Sequence, residues 1–595
     1  MKKAIIVLLI CFVSNIQLTN AQSNDLNVTF SQTEALPQEN IFVHFNTSLF
    51  LAGESLYYKV YCLDKETNKL SSLSKIAYVE LVNEDLKVTF KHKVKLESGT
   101  GYGDFVIPAS VNSGNYKLIA YTNWMRNHGI DDFFKSDISI INPFQSNQEA
   151  ILADKGINQP NNAGGLLDLN SDKDTLNTLS SPFLEIKANQ KIFQKRAKAT
   201  LTLKIKDNKN VSGNYSISVR KVDALDRLVN NPLKANTYKN RIPNKKTTIN
   251  SINYLPELRG ELISGRILKA SNNLPAADEK ISISIQQNDF IFEVSNTDEN
   301  GVFYFNIDSD YNSENAFFQV LDKNNKDYVI EIDRPNSINY SSLDFGNFTI
   351  SSSYKDDLEQ RSTYNQIENG YFSLKSNTLK QIDTIEPFFG DYFTTFYLDD
   401  YTRFTKIQET FVEVIKDAFI KRDNNKKFNF FVTSLDPYER LEKPAGVIVD
   451  GVFLQNFEEL IEYDSRKIKR ISIARTETNF IFGSKIFGGF IVLETFNGDF
   501  FKELPKESIT MFKLFKSQPK KRYFKKDYKN GVTTNRIPDF RSQLLWEPNI
   551  KMNGKEMIVN FFTSDNLGEY EINIEGFTAN GDQVSIRSFI TVENN

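Results

Sequence analysis

The chain holds three histidines, His44, His92 and His128, and two cysteines, Cys11 and Cys62. Triads and zinc sites need such residues gathered at short spacing. No histidine stands four residues from another, so neither a His-based triad nor a zinc site is expected. Gly99, Gly101 and Gly103 form a Gly-x-Gly-x-Gly run, but strands flank it and no helix follows to offer amides to a phosphate, so a turn is expected. Asp308, Asp310, Asn312 and Glu314 alternate as in a calcium loop. The sixth position is Ser313 and the twelfth Gln319, where such a loop uses glycine and glutamate, so no metal is expected. Carboxylates remain, and a facing pair would suit glycan hydrolysis. Two stretches combine aromatic and cationic side chains. Trp124-Met125-Arg126 follows a strand end, where it either anchors a partner or closes a sandwich. Residues 518–539 include Lys520, Lys521, Arg522 and Tyr523, which either meet phosphates or lipid headgroups or form a solvated connector. Trp124, Arg126, Lys520, Lys521, Arg522 and Tyr523 are the candidate interaction residues. Catalytic residues, cofactors and metals are expected to be absent.

Their setting follows from the ends and the charge of the chain. Lys2 and Lys3, the apolar run 4–13 and Ala21 read as a secretory signal peptide over residues 1–21. Without it, the 72 basic residues lose two lysines against 75 acidic ones, a net charge of −5. That charge offers nothing to nucleic acid. Cys62 is then the single cysteine, so stability must come from packing rather than from a disulfide. At about 100–150 residues per domain, roughly four to six domains are expected.

Residues 28–143 alternate with period two. Leu56, Tyr58, Val60 and Cys62 share one strand face, and Ala77, Val79 and Leu81 another, which gives a β-sandwich with one buried face per sheet. Residues 51–57, 78–81 and 113–122 resemble the second macroglobulin-type domain of the α2-macroglobulin family. That family traps proteases through a Cys-Gly-Glu-Gln thioester, whereas Cys62 here is followed by Leu63-Asp64. The resemblance implies the module without its chemistry. Residues 144–182 are polar and read as a linker, and 183–256, with alternation at 199–205 and 215–219, as a second macroglobulin-like sandwich. The order of 262–267, Leu274-Pro275, 281–285, 297–301 and 303–305 is similar to the carboxypeptidase-regulatory-like sandwich, over 257–333. Residues 334–385 read as a linker, 503–540 as a connector, and 541–595 as a C-terminal sandwich.

The segment 386–502 differs in character. Phe404, Ile407, Phe411, Val414, Ile415 and Ala418 recur at three and four, which predicts one amphipathic helix. The apolar run 445–449 ends in Asp450-Gly451, a dipeptide suited to a tight turn with positive φ. A helix with Phe457, Leu460 and Ile461, a strand with Ile468, Ile471 and Ile473, Phe482-Gly483 and the strand 490–495 follow. This order resembles the plug domain of TonB-dependent outer-membrane receptors. Such plugs work inside a barrel of about 22 strands, each of about 9–11 residues, and the 100 residues after Thr495 are too few for one. The expected fold is mainly β, several immunoglobulin- or macroglobulin-like β-sandwiches with one small α+β plug-like domain. The expected function is an exported multidomain binding or scaffold protein of the bacterial cell envelope. It would reach the periplasmic or outer face of the outer membrane through a protein or glycan partner. The alternatives are a plug-like component acting in trans with a separate outer-membrane barrel, and a carboxylate-based envelope hydrolase.

Overall fold

The computed structural model describes residues 36–594 apart from 153–177, 207–211, 230–231, 233, 239–251, 288–289, 322–324, 335–336, 382–392, 437–442, 476–478, 483–484, 503–508, 529–535 and 553. The signal peptide 1–21, most of the 144–182 linker and Gly483 lie outside the described residues. The architecture is mainly β, with four units that share their surfaces.

The first unit is a sandwich. One sheet orders Glu39–Phe45, Ser55–Asp64 and Thr100–Val106, and the other Leu49–Leu51, Phe134–Ile141, Gly114–Tyr121, Ile76–Asn83 and Val88–Lys95. Leu56, Tyr58, Val60 and Cys62 fill the core as their alternation requires. The expectation of one buried face per sheet fails, because Lys59 and Tyr61, on the opposite face of the same strand, are also buried. The second sandwich covers that face. On the other sheet, Glu80 is fully buried beneath Tyr340, which hydrogen-bonds it. The Gly-x-Gly-x-Gly run is a turn only at Gly99. Gly101 and Gly103 lie within Thr100–Val106, where a Cβ on Gly103 would stand 2.3 Å from the Tyr58 hydroxyl.

The segments 183–256 and 541–595 are not two sandwiches. They are the halves of one. Gly213–Lys221 pairs on one side with Gln543–Met552 and on the other with Gly568–Thr578, and Lys198–Ile205 pairs with Glu556–Phe562. Leu203, Ile217, Ile574 and Ile586 share one core. Each half brings about four strands, too few to close two sheets over a buried face. Alternation names the buried side of a strand but not its neighbour.

The third unit sets Glu261–Lys269 between Val302–Ile307 and Tyr328–Ile332, against a sheet ordered Ile291–Asn296, Lys280–Ile285, Asn315–Val320 and Thr510–Lys513. The 503–540 segment is therefore more than a connector, since it supplies that edge strand. The 334–385 segment is not a linker either. Gly346 N–H donates to Asp137 at 2.9 Å and Phe348 N–H to Asn115 at 3.1 Å. A helix, Lys355–Gly370, follows.

The fourth unit is the α+β one. Its sheet runs Phe393–Tyr397, Ile468–Ala474, Phe490–Thr495, Gly446–Val449, Val452–Leu454. Asp450 and Gly451 are the central residues of the turn between Gly446–Val449 and Val452–Leu454, at φ +48° and +80°. The Asp450 carboxylate accepts from Thr495 N–H at 2.7 Å, the Thr495 hydroxyl at 2.8 Å and Phe500 N–H at 3.2 Å. The single helix predicted from Phe404 to Ala418 is shorter. It covers Ile407–Glu413, and Ala418 opens the hairpin Ala418–Arg422 with Phe428–Val432. Val414 and Ile415 are buried in the intervening bend, so the apolar spacing is met without a continuous helix.

Candidate functional site

The helix Lys355–Gly370 is held by polar side chains. Arg361, Asn365 and Asn369, spaced four apart and so on one helical face, reach the carbonyls of Leu49, Ala52 and Gly53 at 3.1, 2.8 and 3.2 Å. Its neighbouring face, with Gln360, Tyr364 and Glu368, forms one wall of a cleft of about 600 Å³. The first sandwich contributes Glu54, Tyr57 and Asp104 to the cleft, the second Lys221 and Trp546, and the segment after it in space Lys521, Tyr523, Phe524 and Phe540. Tyr364 and Phe540 lie face to face, 4.3 Å apart with their planes 5° from parallel. Tyr57 stacks on Trp546 at 5.9 Å and meets Tyr523 edge-on at 5.2 Å. The Trp546 indole N–H is buried and has no acceptor among the described residues.

Most ionic groups of the cleft are bound to one another, while Lys221 donates to Asn566 Oδ1 at 2.5 Å. Arg361 is 7% exposed. It donates to both Glu54 oxygens at 2.7 and 2.8 Å, to Asp223 at 3.3 Å and to Asp226 at 3.2 Å. Asp226 also pairs with Arg220 at 2.9 Å. Burial favours its neutral form, but the Arg220 and Arg361 charges outweigh that and hold its carboxyl below the usual range. Asp223 goes the other way, raised by burial against the pull of Arg361. Arg541 grips Asp539 through two 2.7 Å bonds. Despite burial, that guanidinium takes the Asp539 carboxyl down to about 2. Lys375 pairs with Glu368, and Lys521 with Asp104 at 2.8 Å. Glu54 and Asp223 are two carboxylates in the lining of one cleft, and one guanidinium binds both.

Of the predicted interaction residues, Lys521 and Tyr523 line this cleft. Tyr523 is buried and donates to Asp104 at 3.2 Å. Lys520 pairs with Glu97 and, at 3.4 Å, with Asp310, and Arg522 is exposed beside them in the short strand Lys521–Arg522. The basic run is thus bound across the first sandwich, correcting the solvated connector. Asp310 also receives Lys95 at 2.8 Å, and among the described residues no group of three metal-ligating side chains is gathered. Trp124 and Arg126 are not an open loop tip. The Trp124 indole donates to Pro37 O at 2.8 Å, and Arg126 stacks 3.8 Å over the Tyr254 ring. A buried indole usually finds an acceptor, and Pro37, far upstream in sequence, supplies this one. Asp450 and Gly451 lie in the fourth unit, away from the cleft. The helix residues had no place in the sequence reading, which sought apolar stripes. The available signal was the polar i, i+4, i+8 stripe of Arg361, Asn365 and Asn369.

No family model and no curated protein sequence matches the chain. Among solved structures it is similar to the α2-macroglobulin of Escherichia coli activated by porcine elastase, at 7% identity and TM-score 0.24, covering 94% of this chain and 44% of that one. It is also similar to the Salmonella α2-macroglobulin reacted with methylamine, at 8% identity and TM-score 0.23, covering 93% and 39%. The Escherichia coli adhesin FdeC aligns at 10% identity and TM-score 0.14, over 53% of this chain and 66% of that one. The chain spans less than half the length of the two macroglobulins.

Proposed function

We propose that the chain is an exported binding scaffold of the bacterial cell envelope, held at the outer membrane through partners, and that it acts by binding rather than catalysis. The cleft carries this reading. Segments hundreds of residues apart converge on about 600 Å³, within the roughly 300–1,000 Å³ of ligand pockets, and their ion pairs hold the walls in place. Glu54 and Asp223 are committed to Arg361, which supports binding over hydrolysis. The first and second sandwiches stand here as macroglobulin-like modules, the third unit as carboxypeptidase-regulatory-like and the fourth as plug-like.

The test is a photo-crosslinking amino acid placed at Phe372, 56% exposed at the cleft, with Ile558, 59% exposed on the second sandwich, as control. Irradiation of intact cells should give a covalent adduct in the envelope fraction from position 372 and not from 558. No adduct from 372 would overturn the reading. A second reading, in which the fourth unit docks on a separate outer-membrane barrel, is favoured by Ile481 and Ile486, 77% and 43% exposed on one hairpin. A crosslinker at Ile481 would then capture a β-barrel protein.

A further inference from the structure

The lining of the cleft has a distinctive composition. It holds eight aromatic and seven amide side chains but only two aliphatic ones, Val106 and Leu544. Aliphatic pockets receive lipid chains and the Leu or Val side chains of peptides through non-directional burial. Aromatic faces and amides do something different. A ring presents a flat surface with a negative face to a ligand with slightly positive C–H bonds on one side. An amide both donates and accepts, which suits a ligand whose polar groups do the same.

Charge narrows the class further. Of the six cations on the wall, Arg220, Arg361, Lys375, Lys521 and Arg541 are each held by a carboxylate of the protein, and the Lys221 ammonium donates to Asn566 Oδ1 at 2.5 Å. An anionic ligand would have to break these pairs and leave the displaced carboxylates facing it, and a cationic ligand would meet the same guanidinium and ammonium groups. Neutral polar capacity is still open. The Gln360 carbonyl and the Asn377 amide nitrogen make no hydrogen bond among the described residues, although Gln360 uses its nitrogen towards Tyr364 and Asn377 its oxygen towards Phe524 N–H. Phe372 is more than half exposed beside them, and Tyr57, Tyr364, Phe524 and Phe540 are half-buried.

We propose that this cleft binds a neutral oligosaccharide. The pyranose rings would pack their C–H faces on the aromatic side chains, and their hydroxyls would bridge Gln360, Asn377 and the exposed edges of the internal ion pairs. The volume has room for a few rings. This rests on the binding-scaffold reading and names the class of ligand for the same site.

The chain's two tryptophans make the test direct. Trp546 lines the cleft, whereas Trp124 is tied to Pro37 outside it, so the full chain carrying Trp124→Phe reports the cleft by indole fluorescence. The probes are neutral hexasaccharides of β-1,3-, β-1,4- and α-1,4-linked glucose and of β-1,4-linked N-acetylglucosamine, with titration calorimetry in parallel. At least one should bind saturably. Phe372→Ala and Gln360→Ala, both at exposed positions, should each weaken that binding about tenfold, the loss of roughly 1.4 kcal/mol of contact, with the unfolding midpoint unchanged. No saturable binding by any of the four probes overturns the saccharide proposal. If position 372 still captures a polypeptide in cells, the scaffold reading survives and the ligand is a peptide. If it captures nothing, both fail.

Discussion

Where the two sandwiches meet, polar groups are sealed away from water, and where the third and fourth units meet, aromatic rings are. At the first junction the Lys59 amine donates to Asn214 Oδ1, to Tyr215 O at 3.2 Å and to Pro548 O at 2.5 Å. His44 shares a 2.6 Å bond with Ser216, and the Tyr61 hydroxyl reaches Glu575 O at 2.9 Å. At the second junction Phe453 stacks on Phe292 at 5.2 Å and meets Phe487 edge-on at 5.8 Å, with Ile448, Phe490 and Leu321 around them. Hydrogen bonds are directional and costly to leave unmade, so the polar junction admits one orientation of the sandwiches. Apolar burial scales with area and tolerates small slides, and at the second junction fewer directional bonds oppose them, among them Gln319 Nε2 to Phe453 O at 2.6 Å and Gln455 Nε2 to Val320 O at 2.9 Å. The cleft lies beside the polar junction, and Trp546 belongs to both, so the walls that must stay in register are set by the directional contact.

The largest expected effect breaks the polar junction. Lys59→Ala removes the donor from three buried acceptors and leaves a cavity, a loss on the order of 4 kcal/mol. Phe453→Ala at the aromatic junction should cost about 3 kcal/mol through lost burial and a cavity. Urea unfolding gives the magnitudes and limited proteolysis the location. Lys59→Ala should expose 39–141 and 543–593 together, and Phe453→Ala should expose cleavage within 393–500 alone. The same fragments from both variants would mean that the junctions are not separate.

That contrast also shows what could be read from residues alone. The strands at 56–62, 215–219, 447–449 and 490–495 were visible because their apolar spacing reflects burial, and the Asp450-Gly451 turn because few residues accept positive φ. Partners were not visible. Ser218 pairs with Trp546 across more than 300 positions, and nothing local in either strand points to the other. Lys59 lies between Tyr58 and Val60 on what alternation assigns to solvent, and the second sandwich makes that face an interior. The cleft was hidden for the same reason, since the Lys355–Gly370 helix docks through polar side chains on carbonyls and has only a weak apolar stripe to announce it.

The next effect separates the junctions by pH. Burial raises the Glu575 carboxyl from 4.5 to about 8, so the fold prefers its neutral form. Its contribution to stability is complete below about pH 4.5 and is lost as pH rises towards 8. His44 gives the opposite limb. Burial, then the Lys59 charge, lower it from 6.5 to about 3, so its contribution is complete above pH 6.5 and is lost on acidification. Glu575→Gln keeps the neutral form at every pH and an oxygen for the Ala235 N–H and Ser585 hydroxyl donors. Between pH 5 and pH 8 it should therefore gain on the wild type by on the order of 2 kcal/mol. The deficit of Phe453→Ala should stay constant over that range, because Phe292 and Phe487, the rings it packs on, do not titrate. Parallel curves for wild type and Glu575→Gln would mean that the carboxylate is solvated at the junction.

The smallest effect tests how firmly the aromatic junction is packed. Gly451 turns at φ +80°, and a Cβ there would stand 2.8 Å from the Phe290 Cβ and 3.4 Å from the Gln286 Cα, both on the third unit. Gly451→Ala therefore has two penalties, a left-handed backbone worth about 1 kcal/mol and a contact that only a small slide of the units relieves. Gly451→Asn carries the same Cβ but tolerates the left-handed region better. If the junction yields at the Phe290 contact, alanine should cost about 1–2 kcal/mol in urea unfolding and asparagine measurably less, because backbone strain then dominates. Equal costs would place the penalty in the Phe290 contact, and the aromatic surface would prove as rigid in register as the polar one around Lys59.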